Sequence, residues 1–190
     1  MRLVLATANP DKAVEIAALL TNVELAPRPA SLPEVDESGR TLEDNARLKA
    51  QAVVEATGEA AVADDTGLEV AALRGAPGVR SSRYAGEDAS YSDNVAKLLS
   101  ALEGVGERRA RFRTVALVSF PDGREVLAEG TVEGAITEEP RGEEGFGYDP
   151  VFAPDGGGGR TFGEMTLEQK ATLSHRARAF RELAALLTSP

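Results

Sequence analysis

Short apolar segments alternate with helical patterns along the first third of the chain, and few folds accommodate that order. Residues 2–6 and 60–63 are apolar stretches typical of buried strands, and residues 41–57 carry apolar side chains at helical spacing. Pro10 follows the first strand and suits the first turn of a helix that ends near Leu20. Strands that alternate with helices favour a sheet covered by helices, so we predict an α/β fold.

The rest of the chain adds a hairpin and further helices. Residues 110–120 and 125–137 have strand character and flank Pro121-Asp122-Gly123-Arg124, a turn sequence that predicts a hairpin. The prediction is completed by a strand at 23–26, helices at 92–102 and from about 174 onward, and loops at 27–40, 74–87 and 142–159. Because no linker is long enough to separate domains, we predict a single domain over residues 1–190.

Composition excludes several classes of protein. The chain has 31 acidic against 21 basic residues and a net charge of −10, which opposes binding to a nucleic-acid backbone. It has no cysteine, so it is neither a disulfide scaffold nor a thiol enzyme. No apolar run approaches the roughly 20 residues of a membrane helix, and the apolar stretch at 3–6 is too short for a signal peptide. We therefore expect a cytoplasmic protein without a nucleic-acid or membrane partner.

Common catalytic and nucleotide-binding motifs are missing. There is no G-x-x-x-x-G-K-[ST] phosphate loop, no strand-linked G-x-G-x-x-G and no G-x-S-x-G elbow, and the single histidine cannot form H-E-x-x-H. Residues 156–159 are consecutive glycines, but no helix follows them directly, which favours a turn over a phosphate cradle. The candidate sites are therefore polar residues at the ends of predicted elements.

The first candidate lies between the first strand and the first helix. Thr7, Asn9 and Lys12 surround a predicted helix N-terminus, where free amides and the helix dipole favour an anion. Alternatively, Asn9 simply caps the helix and Lys12 is solvated. The sequence leaves both interpretations open.

The second candidate is Asp64-Asp65-Thr66-Gly67, at the predicted carboxyl end of an apolar strand. Ligands of open α/β sheets usually bind at that edge. If Asp64 and Asp65 are in a strand, their side chains point to opposite faces, so that one carboxylate could hold a divalent cation or polarise a water. The alternative is a turn in which one aspartate is an Asx cap.

Three further groups are candidates that also have a structural interpretation. In the segment 41–46, a capping box alone explains Thr41 and Asp44. Phe146 or Tyr148, beside glycines, suits stacking on a base but also suits the core. Basic side chains near the last predicted helix could read a base or clamp phosphate, or could be caps and solvated charges: Lys170, His175 and Arg176.

Taken together, these segments resemble one family over nearly the whole chain. The strings are T-A-N-P-D-K-x-x-E, T-L-E-D-N-A-x-x-K-A, A-D-D-T-G-L, G-A-P-G-V-x-S-x-R-Y-A-G, G-F-G-Y-D-P-V-F and Q-K-x-x-x-S-H-R-x-x-A. Their order and content closely resemble the inosine triphosphate pyrophosphatase family. That resemblance implies hydrolysis of non-standard purine nucleoside triphosphates such as ITP, dITP and XTP to the monophosphate and pyrophosphate, which cleanses the nucleotide pool.

The resemblance also implies an architecture and a set of site residues. It implies a long mixed central sheet flanked by helices, two lobes around a substrate cleft, a homodimer and Mg²⁺ as cofactor. It makes Asp65 the catalytic acid and a metal ligand. The implied substrate-binding residues are Thr7, Ala8, Asn9, Pro10, Asp11, Lys12, Thr66, Arg83, Phe146, Gly147, Tyr148, Asp149, Lys170, His175 and Arg176.

One position departs from the family pattern. Asp44 stands where the family usually has the glutamate of E-N-A, a metal or water ligand. Because Asp is one methylene shorter, Asp44 would serve the Mg²⁺ through a water, or Glu43 would replace it; we favour Asp44. Two other functions stay open from the sequence: a nucleotide-binding module without catalysis, and a pyrophosphatase for other modified nucleotides.

Overall fold

The structure is a computed structural model and describes residues 1–188; residues 189–190 of the predicted domain lie outside the described residues. The chain divides into two compact units. The first unit comprises residues 1–65 and 114–130 together with the chain from residue 176 onward. The second comprises residues 66–113 and 131–175.

A mixed sheet flanked by helices forms the fold, as predicted. The strands are β1 (Arg2–Leu5), β2 (Glu24–Ala26), β3 (Ala61–Val70), β4 (Pro77–Gly78), β5 (Arg109–Ser119), β6 (Glu125–Ile136) and β7 (Phe152–Pro154). They run in the order β2-β1-β3-β5-β6-β7, and β4 pairs with β3. Strand β1 is parallel to both β2 and β3, whereas β4 is antiparallel to β3 and β7 is antiparallel to β6.

The helices are α1 (Pro10–Leu19), α2 (Leu42–Thr57), α3 (Tyr91–Ala101), α4 (Leu167–Leu173) and α5 (His175–Thr188). Local signals set several of their ends. The Thr41 hydroxyl accepts from the Asp44 amide at 3.1 Å and begins α2, and Gly58 ends it at φ 70°. Within residues 1–188, no helix combines the length and hydropathy that crossing a membrane requires.

Each unit has its own apolar core. In the first unit, α1 and α5 pack against β1, β3 and β5 through Leu3, Ile16, Val62, Ala116 and Phe180. In the second unit the core is rich in aromatic side chains. It includes side chains of β3, α3, β5 and β7 and of the segment between β7 and α4. Its members include Leu68, Leu98, Phe112, Tyr148, Phe152, Phe162 and Met165.

Two sequence predictions were wrong at this level. Strand β3 does not end before the paired aspartates but continues to Val70, because Leu68 and Val70 are buried and β4 pairs with this part of the strand. Asp64 and Asp65 therefore lie inside a strand, and the Asx-turn alternative is wrong. The short helix α4, with Ser174 as its C-cap, was not predicted, whereas the last helix begins at His175, next to its predicted start near residue 174.

Candidate functional site

The paired aspartates of β3 are the centre of the charged cluster in the first unit. Asp64 is 1% exposed and Asp65 is 5% exposed, although both are carboxylates. Adjacent strand residues point to opposite faces, and the two side chains accordingly have different partners. Asp64 contacts Lys12 at 3.1 Å, and Asp65 contacts Lys49 at 2.9 Å. Buried carboxylates persist only when they are paired in this way.

The Asp64 side is a buried ion network. Arg176 donates to Asp64 from Nε and Nη2, both at 3.2 Å, and from Nη1 to Glu15 at 2.5 Å. Burial alone would raise the pKa of Asp64, but Lys12 and Arg176 together hold that pKa well below its ordinary value. Burial also lowers the pKa of Lys12, which Asp64 only partly offsets. The lowered pKa favours the charged form of Asp64, and Arg176 is not a solvated charge.

The local structure before α1 carries Lys12 to this network. The side-chain oxygen Oδ1 of Asn9 accepts from the backbone amides of Asp11 at 2.9 Å and Lys12 at 3.2 Å, which confirms that Asn9 caps the helix. Thr7 in turn accepts from the Asn9 amide at 3.1 Å. The alternative of a solvated Lys12 is wrong, because its side chain is only 15% exposed. Ala8, Pro10 and Asp11 lie exposed around this cap.

The Asp65 side contains residues that the sequence analysis missed. Lys49 donates to Asp65 Oδ1 and also to Glu37 at 2.8 Å, while Asn45 donates from Nδ2 to Asp65 Oδ2 at 3.2 Å. Burial raises the pKa of Asp65, with Lys49 opposing the shift. Burial opposes the charged form of Lys49 too, but Asp65 and Glu37 outweigh it and raise its pKa. A usable signal was present, since Asn45 and Lys49 are four residues apart on one face of α2.

Asp44 lies on the first turn of α2, outside the buried cluster. Its carboxylate is 47% exposed and 3.8 Å from Arg47 Nη1. The Thr41 cap binds the backbone amide of Asp44, so the side chain of Asp44 is not required for that bond. Within residues 1–188, no group of three or more Asp, Glu or His side chains is placed to hold a metal ion.

The second unit gathers another part of the predicted set. Asp149 and Lys170 form an ion pair at 2.5 Å, and each side chain is 4% exposed. The Phe146 amide donates to the same Asp149 oxygen at 2.9 Å, and the Lys170 ammonium lies 4.9 Å from the centre of the Phe146 ring. Lys170 is thus a buried partner of Asp149, and the solvated alternative is wrong.

The two aromatic candidates have different environments. Tyr148 is 5% exposed, belongs to the core and donates its hydroxyl to the carbonyl of Ser81 at 2.9 Å. Burial raises the pKa of that hydroxyl. Phe146 is only half-buried, and its ring centre lies 5.8 Å from that of Tyr91.

The remaining predicted residues of the second unit lie in separate places. His175 is 3% exposed and stacks on Phe112 with ring centres 4.6 Å apart, which rules out a solvated side chain. Thr66 is half-buried on β3, and Arg83 Nε lies 3.7 Å from Glu87. Gly147 adopts φ 63°, a conformation that favours glycine.

Comparisons with known proteins identify the family. The Ham1 family model matches residues 3–186. A dITP/XTP pyrophosphatase of Syntrophobacter fumaroxidans is 49% identical over 187 residues, covering 95% of this chain and 79% of that protein. A second, from Desulforamulus reducens, is 49% identical over 195 residues and covers 98% of this chain and 96% of that protein. A HAM1 protein structure from Coxiella burnetii matches with a TM-score of 0.89 and 38% identity, covering 99% of this chain and 98% of that one. The resemblance indicated by the sequence motifs is confirmed, and the chain belongs to the Ham1 family.

Proposed function

We propose that this chain is a hydrolase that converts dITP, ITP and XTP into the nucleoside monophosphate and pyrophosphate. The observation that carries the proposal is the buried pair Asp64 and Asp65, each neutralised by a lysine. The relatives described as dITP/XTP pyrophosphatases, 49% identical over nearly this whole chain, support the same activity and substrate class.

Phosphate binding is assigned to the segment at 7–12. The N-terminus of α1 offers backbone amides and the positive end of the helix dipole, and Lys12 adds a cation. Because the whole chain carries a charge of −10, a triphosphate needs such local positive charge to bind. Lys49 supplies a second buried ammonium beside Asp65.

Asp65 is the proposed proton acceptor of the reaction. Its raised pKa brings the carboxylate closer to the range in which it can take a proton from water. The water oxygen forms a bond to phosphorus, the phosphoanhydride P–O bond breaks, and the proton goes to Asp65. Pyrophosphate leaves as the anion, and no covalent enzyme intermediate is needed.

The residues present fit a magnesium ion that arrives with its substrate. Mg²⁺ is usually held by one or two carboxylates together with phosphate oxygens and water rather than by a cage of protein ligands. Asp65 and the half-exposed Asp44 would supply those carboxylates, with Glu43 as the alternative to Asp44. When bound, the ion neutralises negative charge on the phosphate oxygens.

Base recognition is assigned to Phe146 and to donors near the last helix. Phe146 is half-buried and is the residue proposed to stack on a purine, whereas Tyr148 is part of the core. Donors toward the 6-keto oxygen of hypoxanthine or xanthine come from His175 or Arg176, or from nearby backbone amides, in this proposal. A homodimer, a substrate cleft between two lobes and a cytoplasmic location remain predictions.

Pyrophosphate release from ITP in the presence of Mg²⁺ tests the proposal. We expect one pyrophosphate per monophosphate. Hydrolysis in ¹⁸O-labelled water then identifies the attacked phosphorus, because label in the monophosphate places the attack at the α-phosphorus. Binding of ITP without any hydrolysis would instead indicate a nucleotide-binding module. Hydrolysis confined to modified pyrimidine nucleotides would indicate a pyrophosphatase of another specificity.

A further inference from the structure

Lys49 and Asn45, which both bind Asp65, also both contact one short segment of the loop before α2. Lys49 holds Asp65 at 2.9 Å and Glu37 at 2.8 Å. Asn45 donates to Asp65 at 3.2 Å and accepts from the backbone amide of Gly39 at 2.8 Å. Residues 37–39, called the 37–39 segment below, therefore bind both groups that bind the proposed proton acceptor.

The segment fixes which atom of Asn45 faces the carboxylate. A carboxamide has one accepting oxygen and one donating nitrogen, and Asn45 is 0% exposed. Because the Gly39 N–H donates to Oδ1, the side chain must present Nδ2 to Asp65. Without that bond the amide could rotate and leave Asp65 facing an oxygen.

Glu37 plays the corresponding part for Lys49. The Lys49 ammonium lies between two carboxylates, and the Glu37 side chain is 25% exposed while that of Asp65 is 7% exposed. Without Glu37, the ammonium of the flexible Lys49 side chain would keep its contact with Asp65 but lose the second carboxylate that fixes its position. The ammonium could then follow a bound phosphate away from Asp65.

The contact at Gly39 leaves no space for a larger residue. A Cβ at this position would lie 2.5 Å from Asn45 Oδ1, 2.7 Å from Asp44 Cβ and 2.9 Å from the Asn45 backbone nitrogen. The segment thus packs directly on the side chain that holds Asp65, and an added methyl group would displace one of them.

We propose that the 37–39 segment is a positioning element that sets the orientation of the Asp65 carboxylate for hydrolysis. Glu37 and Gly39 touch no reacting atom in this proposal and act through Lys49 and Asn45. The inference rests on the proposed function, because it assigns these residues to the same reaction.

A glutamate series tests the first half of the proposal. Glu37→Ala is expected to lower kcat for ITP about tenfold or more, since misplacement of a catalytic group by about 1 Å can cost 10²-fold. KM should change by less than about threefold on the same argument, and Glu37→Gln, which keeps the accepting oxygen, should restore most of kcat. Glu34→Ala is the matched control, because Glu34 is an exposed glutamate of the same loop.

A glycine pair tests the second half. Gly39→Ala is expected to lower kcat with little change in KM, whereas Gly106→Ala should leave both unchanged, because a Cβ at Gly106 meets nothing within 4 Å. If Gly39→Ala fails to fold, as judged by urea unfolding, the Glu37 series decides alone.

The outcomes separate the two proposals. If the wild type releases pyrophosphate from ITP and Asp65→Asn does not, yet Glu37→Ala keeps wild-type kcat, the 37–39 segment is not a positioning element and the proposed function stands. If Glu37→Gln is as slow as Glu37→Ala, positioning through the accepting oxygen is also wrong. If the wild type hydrolyses no nucleoside triphosphate, the proposed function fails and this inference fails with it.

Discussion

At the residue scale, the structure gives two neighbouring aspartates opposite protonation tendencies. Lys12 and Arg176 hold the pKa of Asp64 below its ordinary value against the effect of burial, whereas burial dominates at Asp65 and raises its pKa. Paired titratable groups whose environments push their pKa values apart typically divide the roles of an active site. This difference supports the proposal that Asp64 is the anion that holds the cations and that Asp65 is the proton acceptor.

Asp65→Asn tests that division of roles directly. The amide keeps the shape of the side chain but cannot accept a proton, so kcat for ITP should fall by about 10²- to 10⁴-fold. Steady-state kinetics at saturating Mg²⁺ measure the loss, with the exposed Asp88→Asn as control. A variant within about threefold of the wild type would remove Asp65 from this role.

Asp64 should make stability sensitive to acid. Its pKa is lowered in the folded state, so its stabilising effect is present above the ordinary value of 3.8 and is lost as pH falls below that value toward the folded pKa. Urea unfolding of the wild type and Asp64→Asn, with a chelator present, should show a difference in free energy of unfolding that narrows below about pH 4. A constant difference from pH 6 to pH 3 would show that the pKa of Asp64 is not lowered.

Arg176 should stabilise the folded protein in addition to its proposed part in substrate binding. Arg176 is 2% exposed and its guanidinium is bonded to Asp64 and Glu15, so Arg176→Ala removes a buried cation that both carboxylates contact and leaves Lys12 beside Asp64. Loss of one partner of a buried ion pair typically costs about 3–5 kcal/mol, and urea unfolding should show a loss of this size. The exposed Arg178→Ala is the control two positions along α5. An unchanged unfolding midpoint in Arg176→Ala would contradict the buried network.

At the element scale, the start of α2 separates a structural residue from a proposed metal ligand. Thr41→Ala removes the cap and should lower the free energy of unfolding by about 1 kcal/mol without changing the Mg²⁺ requirement. Asp44→Asn keeps that cap, because Thr41 binds the backbone amide of Asp44. It should instead raise the Mg²⁺ concentration needed for half-maximal activity. The same Mg²⁺ dependence in wild type and Asp44→Asn would leave Glu43 as the candidate ligand.

Element boundaries were predictable where a local residue sets them. Thr41 and Gly58 cap α2, and Pro121-Asp122-Gly123-Arg124 lies in the turn between β5 and β6, where the Phe120 amide donates to Arg124 at 2.9 Å. The end of β3 was not predictable in this way. In a sequence, two adjacent carboxylates indicate that a buried strand ends. They can lie inside the strand here because Lys12 and Lys49 pair with them, and both lysines lie outside β3 in the sequence.

The same distinction applies to the candidate site. Lys12 and Asp65 stood out in the sequence because they follow an apolar strand or lie near its end. Lys49 did not, because a lysine in an amphipathic helix is usually solvated, and only the fold shows that it is buried against Asp65. Glu15 was missed because its partner, Arg176, is far away in the sequence.

At the scale of the whole molecule, each compact unit has its own core and its own group of buried charges. The first unit holds the carboxylate and lysine cluster on β3, and the second holds the Asp149–Lys170 pair beside Phe146. The family match at 3–186 spans both units, so the proposed function belongs to the whole chain and not to one of them.

The most direct test of the central claim is the ratio of kcat/KM for dITP to kcat/KM for dATP, measured by pyrophosphate release with Mg²⁺ present. Hypoxanthine carries a 6-keto acceptor where adenine carries a 6-amino donor. A site whose buried donors pair with the keto oxygen can therefore reject adenine by about 10⁴-fold. We expect dITP to be strongly preferred, with one pyrophosphate released for each dIMP. A ratio near one, or release of inorganic phosphate in place of pyrophosphate, would contradict the assignment of this chain as a pyrophosphatase for non-standard purine nucleotides.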